Sequence, residues 1–469
     1  MTELSVPTRV PEPLERGPSP WPTFAVCATA AYVTTLDMSI VNVAFPEIAS
    51  SFPDASRGMI SWVVTAYSIL FGSLLVASGR MADQVGRKRM LQAGITLFLL
   101  GSAGCALSPG LGALIAGRAV QGLGGALMMP ASLGLLLSAF PAERRSQAIA
   151  WNGAAGALGV SSGPTLGALL VSGFGWRSAF WINIPICIGL AVMTRRSVHE
   201  PPRVRQPRPD IGAAVLVTAA VAALVGGISR AESTGWTDAA VIGLLVAAGV
   251  LGGMVVQRSL RHPVPLIPPS LFRERSFTAA NIATFVFGAA FAANILNNVL
   301  FLRTVWDYSV ITAGLFSVLA PVVVAITAFV AGRTMGRVGF RPLLIAAQIS
   351  FAVIVLGEAL LLSSDPTPWT RWLPLMVVLG IAIGFTFPVL SAAAVSTLRP
   401  ENFALGGAVN NTFRQVGSAV GVALVVTLQS SGDGIDGFRA GWYFVAVCGL
   451  IAAAACMLQP RASTEGIAT

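Results

Sequence analysis

The chain has 469 residues, of which 55% are hydrophobic and only 11% charged, against about 25% charge in an ordinary soluble domain. That balance excludes a soluble enzyme, because spanning segments use nearly the whole length. The net charge of +10 does not imply nucleic acid: the cations fall in short loops between apolar runs, where cytoplasmic lipid headgroups would meet them.

In chain order, residues 1–21 are rich in proline and charge and lack an apolar core, so they read as a cytoplasmic tail and not a cleaved signal. About 14 apolar runs follow, each long enough to cross a bilayer. Their cores are 23–45, 59–79, 89–108, 111–138, 147–171 and 178–194, then 211–229 and 238–256. The last six are 278–302, 310–331, 342–362, 373–397, 403–428 and 440–458, and residues 461–469 form a second tail. An even count puts both termini on one side of an all-α membrane protein. Assigning both tails and every second loop to the cytoplasm places 22 cations there and leaves 6 outside (Arg57, Arg177, Arg230, Arg303, Arg371 and Arg439). One missed span would scramble that split, so it supports the count as well as the orientation.

Two patterns recur. Gly79-Arg80-Met81-Ala82-Asp83-Gln84-Val85-Gly86-Arg87-Lys88 returns 253 positions later as Gly332-Arg333-Thr334-Met335-Gly336-Arg337-Val338-Gly339-Phe340-Arg341. At an offset of 258, Gly122 through Pro130 resembles Gly380 through Pro388, and Asn152, Gly159 and Gly163 match Asn410, Gly417 and Gly421. Spans 3, 4 and 5 thus correspond to spans 11, 12 and 13. The reading is a six-helix half at 22–197, a linker with two extra spans at 198–275, and a second six-helix half at 276–460.

These residues resemble a known family. Gly79 through Met90 is similar to the loop signature of the major facilitator superfamily. Leu36-Asp37-Met38-Ser39-Ile40-Val41-Asn42-Val43-Ala44-Phe45-Pro46 resembles the first-span motif of its 14-helix drug:proton antiporters. Arg118-Ala119-Val120-Gln121-Gly122 resembles their fourth-span motif, and Gly159 through Gly167 their fifth-span antiporter motif. The resemblance implies a major facilitator fold that exports lipophilic small molecules in exchange for protons, across the inner membrane and with both termini cytoplasmic. It implies membrane lipids as surroundings, a monomer, and no cofactor. Ser39 stands where the family usually has Thr, and Gly336 replaces the acid of the second loop. The acid that some exporters of dications carry in span 10 or 13 is missing from this sequence.

Asp37 and Glu358 are the only acids inside the spans, and an ionisable group in hydrocarbon normally faces a cavity. Asp37 and Arg118 each lie about eight residues from the outer end of their helix, so a rise of 1.5 Å per residue puts both roughly 12 Å deep. They can share one cavity, where desolvation and a nearby cation act in opposite directions on the carboxyl. The alternative is a fixed pair that only joins helices. Glu358 lies near the outer end of span 11, where either interfacial snorkelling or proton and substrate work is open to it. Arg414 in span 13 is flanked by Asn410, Asn411 and Gln415. With Asn42, Gln121, Asn294, Asn297, Asn298 and Glu358 these are candidates to line a substrate cavity, or to bridge helices instead. Gly159, Gly163 and Gly167 recur on one helical face beside Pro164, which suits a close, bent, moving interface or a static one. Gly79, Arg80, Asp83, Gly86, Arg87 and Lys88 are the latch residues that the resemblance implies, with Asp83 able to pair with Arg87 or to accept bonds at the start of span 3.

Other chemistry is excluded. Gly159-Val160-Ser161-Ser162-Gly163 fits a nucleophile-elbow pattern but lies in a spanning helix. Gly432 through Gly437 fits a dinucleotide pattern with no strand before it. Lys88, the sole lysine, follows Arg87 and not a glycine, so no Walker loop exists and transport must draw on an ion gradient. His199 and His262 lie in loops and the five cysteines stand singly, so no metal site is expected.

Overall fold

A computed structural model describes residues 19–141, 144–201, 210–398, 403–430, 432 and 434–459. Most of both tails, and part of the Gly432 to Gly437 loop, lie outside these residues. With no water in a bilayer core to bond to, each crossing segment must satisfy its own backbone, which only helices and closed barrels achieve. The described elements are helical accordingly.

The helices are α1 (Trp21–Ser51), α2 (Arg57–Val85), α3 (Arg87–Ala106), α4 (Leu111–Ala139), α5 (Arg145–Phe174), α6 (Ser178–Trp181), α7 (Asn183–Ser197), α8 (Ile211–Thr234) and α9 (Ala239–Arg261). They continue as α10 (Arg275–Thr304), α11 (Val310–Ser317), α12 (Leu319–Val338), α13 (Phe340–Leu361), α14 (Leu373–Val395), α15 (Phe403–Gln429) and α16 (Ile435–Met457). The sixth span is α6 with α7, and the tenth is α11 with α12. Among the described residues, thirteen helices are long and apolar enough to cross a membrane. The fourteenth, α15, packs among them as a helix of 27 residues. Asn410, Asn411, Arg414 and Gln415 interrupt its apolar run.

Packing repeats along the chain as the glycine spacing does. α1 packs on α5 and α10 on α15; α3 packs on α4 and α13 on α14; α2 packs on α4 and α12 on α14. The paired glycines sit at these approaches. A Cβ on Gly159 would meet the Tyr32 carbonyl of α1, and one on Gly417 would meet the Phe285 carbonyl of α10. A Cβ on Gly122 would meet the Tyr67 carbonyl of α2, and one on Gly380 the Ala320 carbonyl of α12. Small residues let helix backbones approach this closely where lipid supplies no hydrophobic drive. The loop repeat also has a local reason. Gly86 (φ 117°) and Gly339 (φ 86°) stop α2 and α12, and L side chains rarely take such angles.

The seam between the first and last helices is formed by α2 against α15 and by α5 against α11 and α12. Thr412 Oγ1 donates to the Gly72 carbonyl at 2.7 Å, and Gly314 of α11 faces the Pro164 carbonyl of α5. α8 lies along α2 and α15, burying Val221, Val225 and Ile228 with Ile69, Ala419 and Ala423. Its N-terminus is capped by Asp210, whose carboxylate accepts from Ala213 N at 3.0 Å and pairs with Arg258 at 2.8 Å. Burial pushes that carboxyl up, but the Ala213 amide, Arg258 and His262 together hold it below the usual carboxylate value.

Candidate functional site

Asp37 has no solvent exposure and Arg118 only 1%. Arg118 Nη1 donates to Asp37 Oδ2 at 2.6 Å. Gln121 Nε2 donates to the other oxygen at 3.1 Å, and Asn183 Nδ2 donates there too, at 2.7 Å. Arg118 also bonds the Val63 carbonyl at 2.8 Å and Gln121 Oε1 at 2.9 Å, and its guanidinium lies 4.5 Å from the Tyr67 ring centroid. Gln121 Nε2 reaches Ser102 Oγ at 2.7 Å. One carboxylate thus ties α1 to α4 and α7, with α2 and α3 completing the shell. Burying two charges costs several kcal/mol per ion unless geometry and extra hydrogen bonds offset it, and here both groups have them.

The equal depths expected of Asp37 and Arg118 are met by direct contact. Asn183, Ser102 and Tyr67 were not singled out from the sequence. Asn183 begins α7 directly after the break at Ile182, and its small amide in a span is the one signal that marks it.

Of the two readings open to Glu358, the structure does not fit snorkelling. The side chain has no exposure. Asn294 Nδ2 donates to Oε2 at 2.8 Å and Asn298 Nδ2 to Oε1 at 3.0 Å, while Trp442 Nε1 donates to Asn298 Oδ1 at 2.8 Å. α10 and α16 close over the carboxyl, so it cannot reach the interface. No cation pairs with it among the described residues. Asn297 stands apart from this trio, accepting from Gln429 Nε2 at 2.6 Å and donating to the Phe438 carbonyl at 3.1 Å. We expect Glu358→Gln to keep most of the stability, since Asn298 can still donate to the remaining oxygen while Asn294 turns its amide to accept from the new NH2. Glu358→Leu should lose about 1–3 kcal/mol for each stranded amide. Thermal unfolding in detergent would compare them; equal midpoints would mean the asparagines find other partners.

The remaining candidates scatter. Asn410 Nδ2 donates to Thr284 Oγ1 at 2.9 Å and Asn281 Oδ1 at 3.3 Å, bridging α15 to α10. Asn42 bonds its own helix at the Met38 carbonyl, 3.0 Å away. Arg414 donates to Asn411 Oδ1 and lies 5.3 Å from the Phe387 ring centroid. Of the sequence candidates, Asp37 joins Arg118 and Gln121, Glu358 joins Asn294 and Asn298, and Arg414 joins Asn411, while Asn42, Asn297 and Asn410 stand outside these groups.

At the loop after α2, Asp83 pairs with Arg87 at 2.9 Å, and Arg87 Nη1 reaches the Gly134 carbonyl of α4 at 2.7 Å. The start of α3 is met by Glu200, which accepts from Lys88 N at 3.1 Å and Arg89 N at 3.3 Å, not by Asp83. Lys88 Nζ donates to the Arg195 carbonyl at 3.0 Å. Gly79 lies beside Pro130 of α4, and Arg80 Nη1 is buried without a partner. In α5, a Cβ on Gly163 would strike Ser39 of α1, and one on Gly167 would lie 3.3 Å from Val43 Cβ.

Comparison with known proteins agrees with this architecture. The Major Facilitator Superfamily pattern matches residues 27–422. The chain is 33% identical over 414 residues to the methylenomycin A resistance protein of Streptomyces coelicolor, covering 87% of this chain and 85% of that one. It is 32% identical over 397 residues to the multidrug resistance protein Stp of Mycobacterium tuberculosis, covering 84% and 73%. In fold it is similar to a partially occluded inward-open structure of the xylose transporter XylE from E. coli, with a TM-score of 0.65, 14% identity and coverage of 93% and 96%. The chain belongs to the major facilitator superfamily and is a multi-pass membrane transporter, not an enzyme.

Proposed function

We propose that this transporter is a proton-coupled antiporter that exports lipophilic small molecules by alternating access. The observation that carries the reading is Asp37, a wholly enclosed carboxylate paired at 2.6 Å with Arg118. Ionised, it is the acceptor for three side chains on α4 and α7. Protonated, it loses the ion pair, while Arg118 keeps the Val63 carbonyl and Gln121. The hold on α1 then weakens, and α1 is the helix packed on the Gly159 and Gly163 face of α5 and against α10. A proton can thus change how α1 sits between its neighbours. One proton moving down about 100 mV yields roughly 2.3 kcal/mol, enough for about a 50-fold substrate gradient.

The reading includes the cytoplasmic membrane, both termini inside, a monomer, and the latch role of the Asp83, Arg87 and Lys88 loop. The 22:6 distribution of cations supports the sidedness. Relatives named for resistance to methylenomycin A, tetracenomycin C and puromycin, and for multidrug resistance, support the substrate class. The test is proton release from purified protein on addition of each of a panel of compounds. Release by several unrelated compounds is expected; release by none would end the antiport reading. A second reading, a dedicated exporter of one endogenous product, is favoured by relatives each named for a single antibiotic. Release by one compound alone would select it.

The division into two six-helix halves and an inserted pair belongs to the same proposal. α8 meets α2 and α15 mainly through apolar contacts, which lipid can cover at little cost, with one hydrogen bond from Thr218 to Ser73 and one from Thr427 to the Ile228 carbonyl. Deleting residues 198–275 in favour of a polar linker is expected to leave the core able to insert, with the loop near Asp365 still labelled from outside. Loss of that labelling would make the pair integral.

A further inference from the structure

We infer that the central site selects lipophilic aromatic compounds that carry an anionic group, with Arg414 as the residue that holds it. The inference rests on the exporter reading and names its substrate class.

Among the described residues, the two arginines near the middle of the bundle differ in one respect. Arg118 has an acid at 2.6 Å; Arg414 has none. Its guanidinium meets only Asn411 Oδ1 and the face of Phe387. A guanidinium presents five donors in a planar fork that matches a carboxylate, so most of its capacity is unspent. Arg414 is also only half-buried. Asn411 Nδ2 lies 3.8 Å from Met129 Sδ of α4, and Gln415 Nε2 lies 4.0 Å from Met38 Sδ of α1. The residues flanking Arg414 therefore reach helices of the other half, and Arg414 itself lies over Phe387 of α14.

The wall beside it is aromatic. Phe387 of α14 packs edge to face on Phe291 at 4.9 Å and on Phe287 at 5.1 Å. Phe287 is fully buried, whereas Phe291 and Phe387 are half-buried and form the open edge of the cluster. Met38 and Met129, flexible and polarisable, stand opposite. Surfaces of this chemistry suit a flat apolar ring.

The decisive point is the balance of charge. Both acids within the spans are enclosed, Asp37 by Arg118, Gln121 and Asn183, and Glu358 by Asn294 and Asn298, and neither has any exposure. Among the described residues inside the spans, the one charged side chain that keeps appreciable exposure is the cation Arg414; Arg303, which lines the small cavity between α1, α10 and α11, is paired with Glu47 at 3.4 Å. In a poorly solvated site a lipophilic cation would be repelled there, whereas a carboxylate or phenolate would gain a charge-assisted, bidentate bond.

The experiment compares two probes of one shape and opposite charge, pyrenebutyrate and pyrenebutylammonium, by fluorescence titration of the purified full-length protein at pH 7. The native protein is expected to bind the anion at least about tenfold more tightly, a difference of about 1.4 kcal/mol. Arg414→Gln should remove that preference by weakening the anion alone, and Arg414→Lys should retain part of it. Equal affinities, tighter binding of the ammonium, or a preference that survives Arg414→Gln would overturn the inference. The native comparison decides even if the variants fold poorly. Flux of both probes in vesicles separates this from the antiport reading. Anion preference without response to a pH gradient defeats antiport alone; gradient-driven export of the ammonium without anion preference defeats this assignment alone.

Discussion

Asp37→Asn is expected to abolish substrate accumulation driven by a pH gradient in inverted membrane vesicles, reducing it to the level seen without a gradient. Asp37 accepts hydrogen bonds from Arg118, Gln121 and Asn183 at 2.6, 3.1 and 2.7 Å. An asparagine has one acceptor oxygen where the carboxylate has two. Its amide must then point a donor at a group that also donates. It also leaves the Arg118 charge buried without a counter-charge, and breaking a buried pair in that way costs about 3–5 kcal/mol. Some loss of thermal stability should therefore accompany the loss of coupling. Binding of pyrenebutyrate, measured on the same protein, separates the two effects: a folded, ligand-binding protein that no longer responds to the gradient is the expected result. Full gradient-driven accumulation by the variant would remove Asp37 from the coupling role.

The second large effect concerns the close approach of α1 and α5. Gly159→Ala is expected to destabilise and to slow transport in a way that no side-chain change on α1 repairs. Its new Cβ would lie 2.5 Å from the Tyr32 carbonyl, so the backbone of α1 itself must shift. Overpacking of this kind costs about 1–3 kcal/mol. Gly163→Ala meets an obstacle that can be removed, because the atoms in its path are the Oγ and Cβ of Ser39. Ser39→Gly should therefore restore stability to Gly163→Ala and leave Gly159→Ala uncorrected. Thermal unfolding of the two single variants and their combinations with Ser39→Gly would test this. Rescue of both, or of neither, would mean that the α1 and α5 backbones are not held where these contacts place them. The same logic applies at Gly417 and Gly421, which face the Phe285 and Ala289 carbonyls of α10.

The amino-acid sequence by itself determined the spans, because in lipid a crossing segment must be a self-satisfied helix whose apolar length is written locally. It determined the repeated glycines, since helices that touch backbone to backbone exclude side chains wherever they lie. It also put Asp37 and Arg118 at one depth, because helical rise converts residue number into distance. It did not determine azimuth. Depth follows from one helix alone, but which neighbour a side chain meets depends on how all the helices rotate against one another. That is why Glu358, three residues from the end of α13, looked free to reach the interface, while α10 and α16 close over it with Asn294, Asn298 and Trp442. It is also why Asn183 as a third donor to Asp37 and Glu200 as the cap of α3 were invisible: they lie 146 and 112 residues from their partners. Tertiary packing alone decided that two acids are sealed within the protein and that Arg414 stays half-buried with no acid beside it among the described residues.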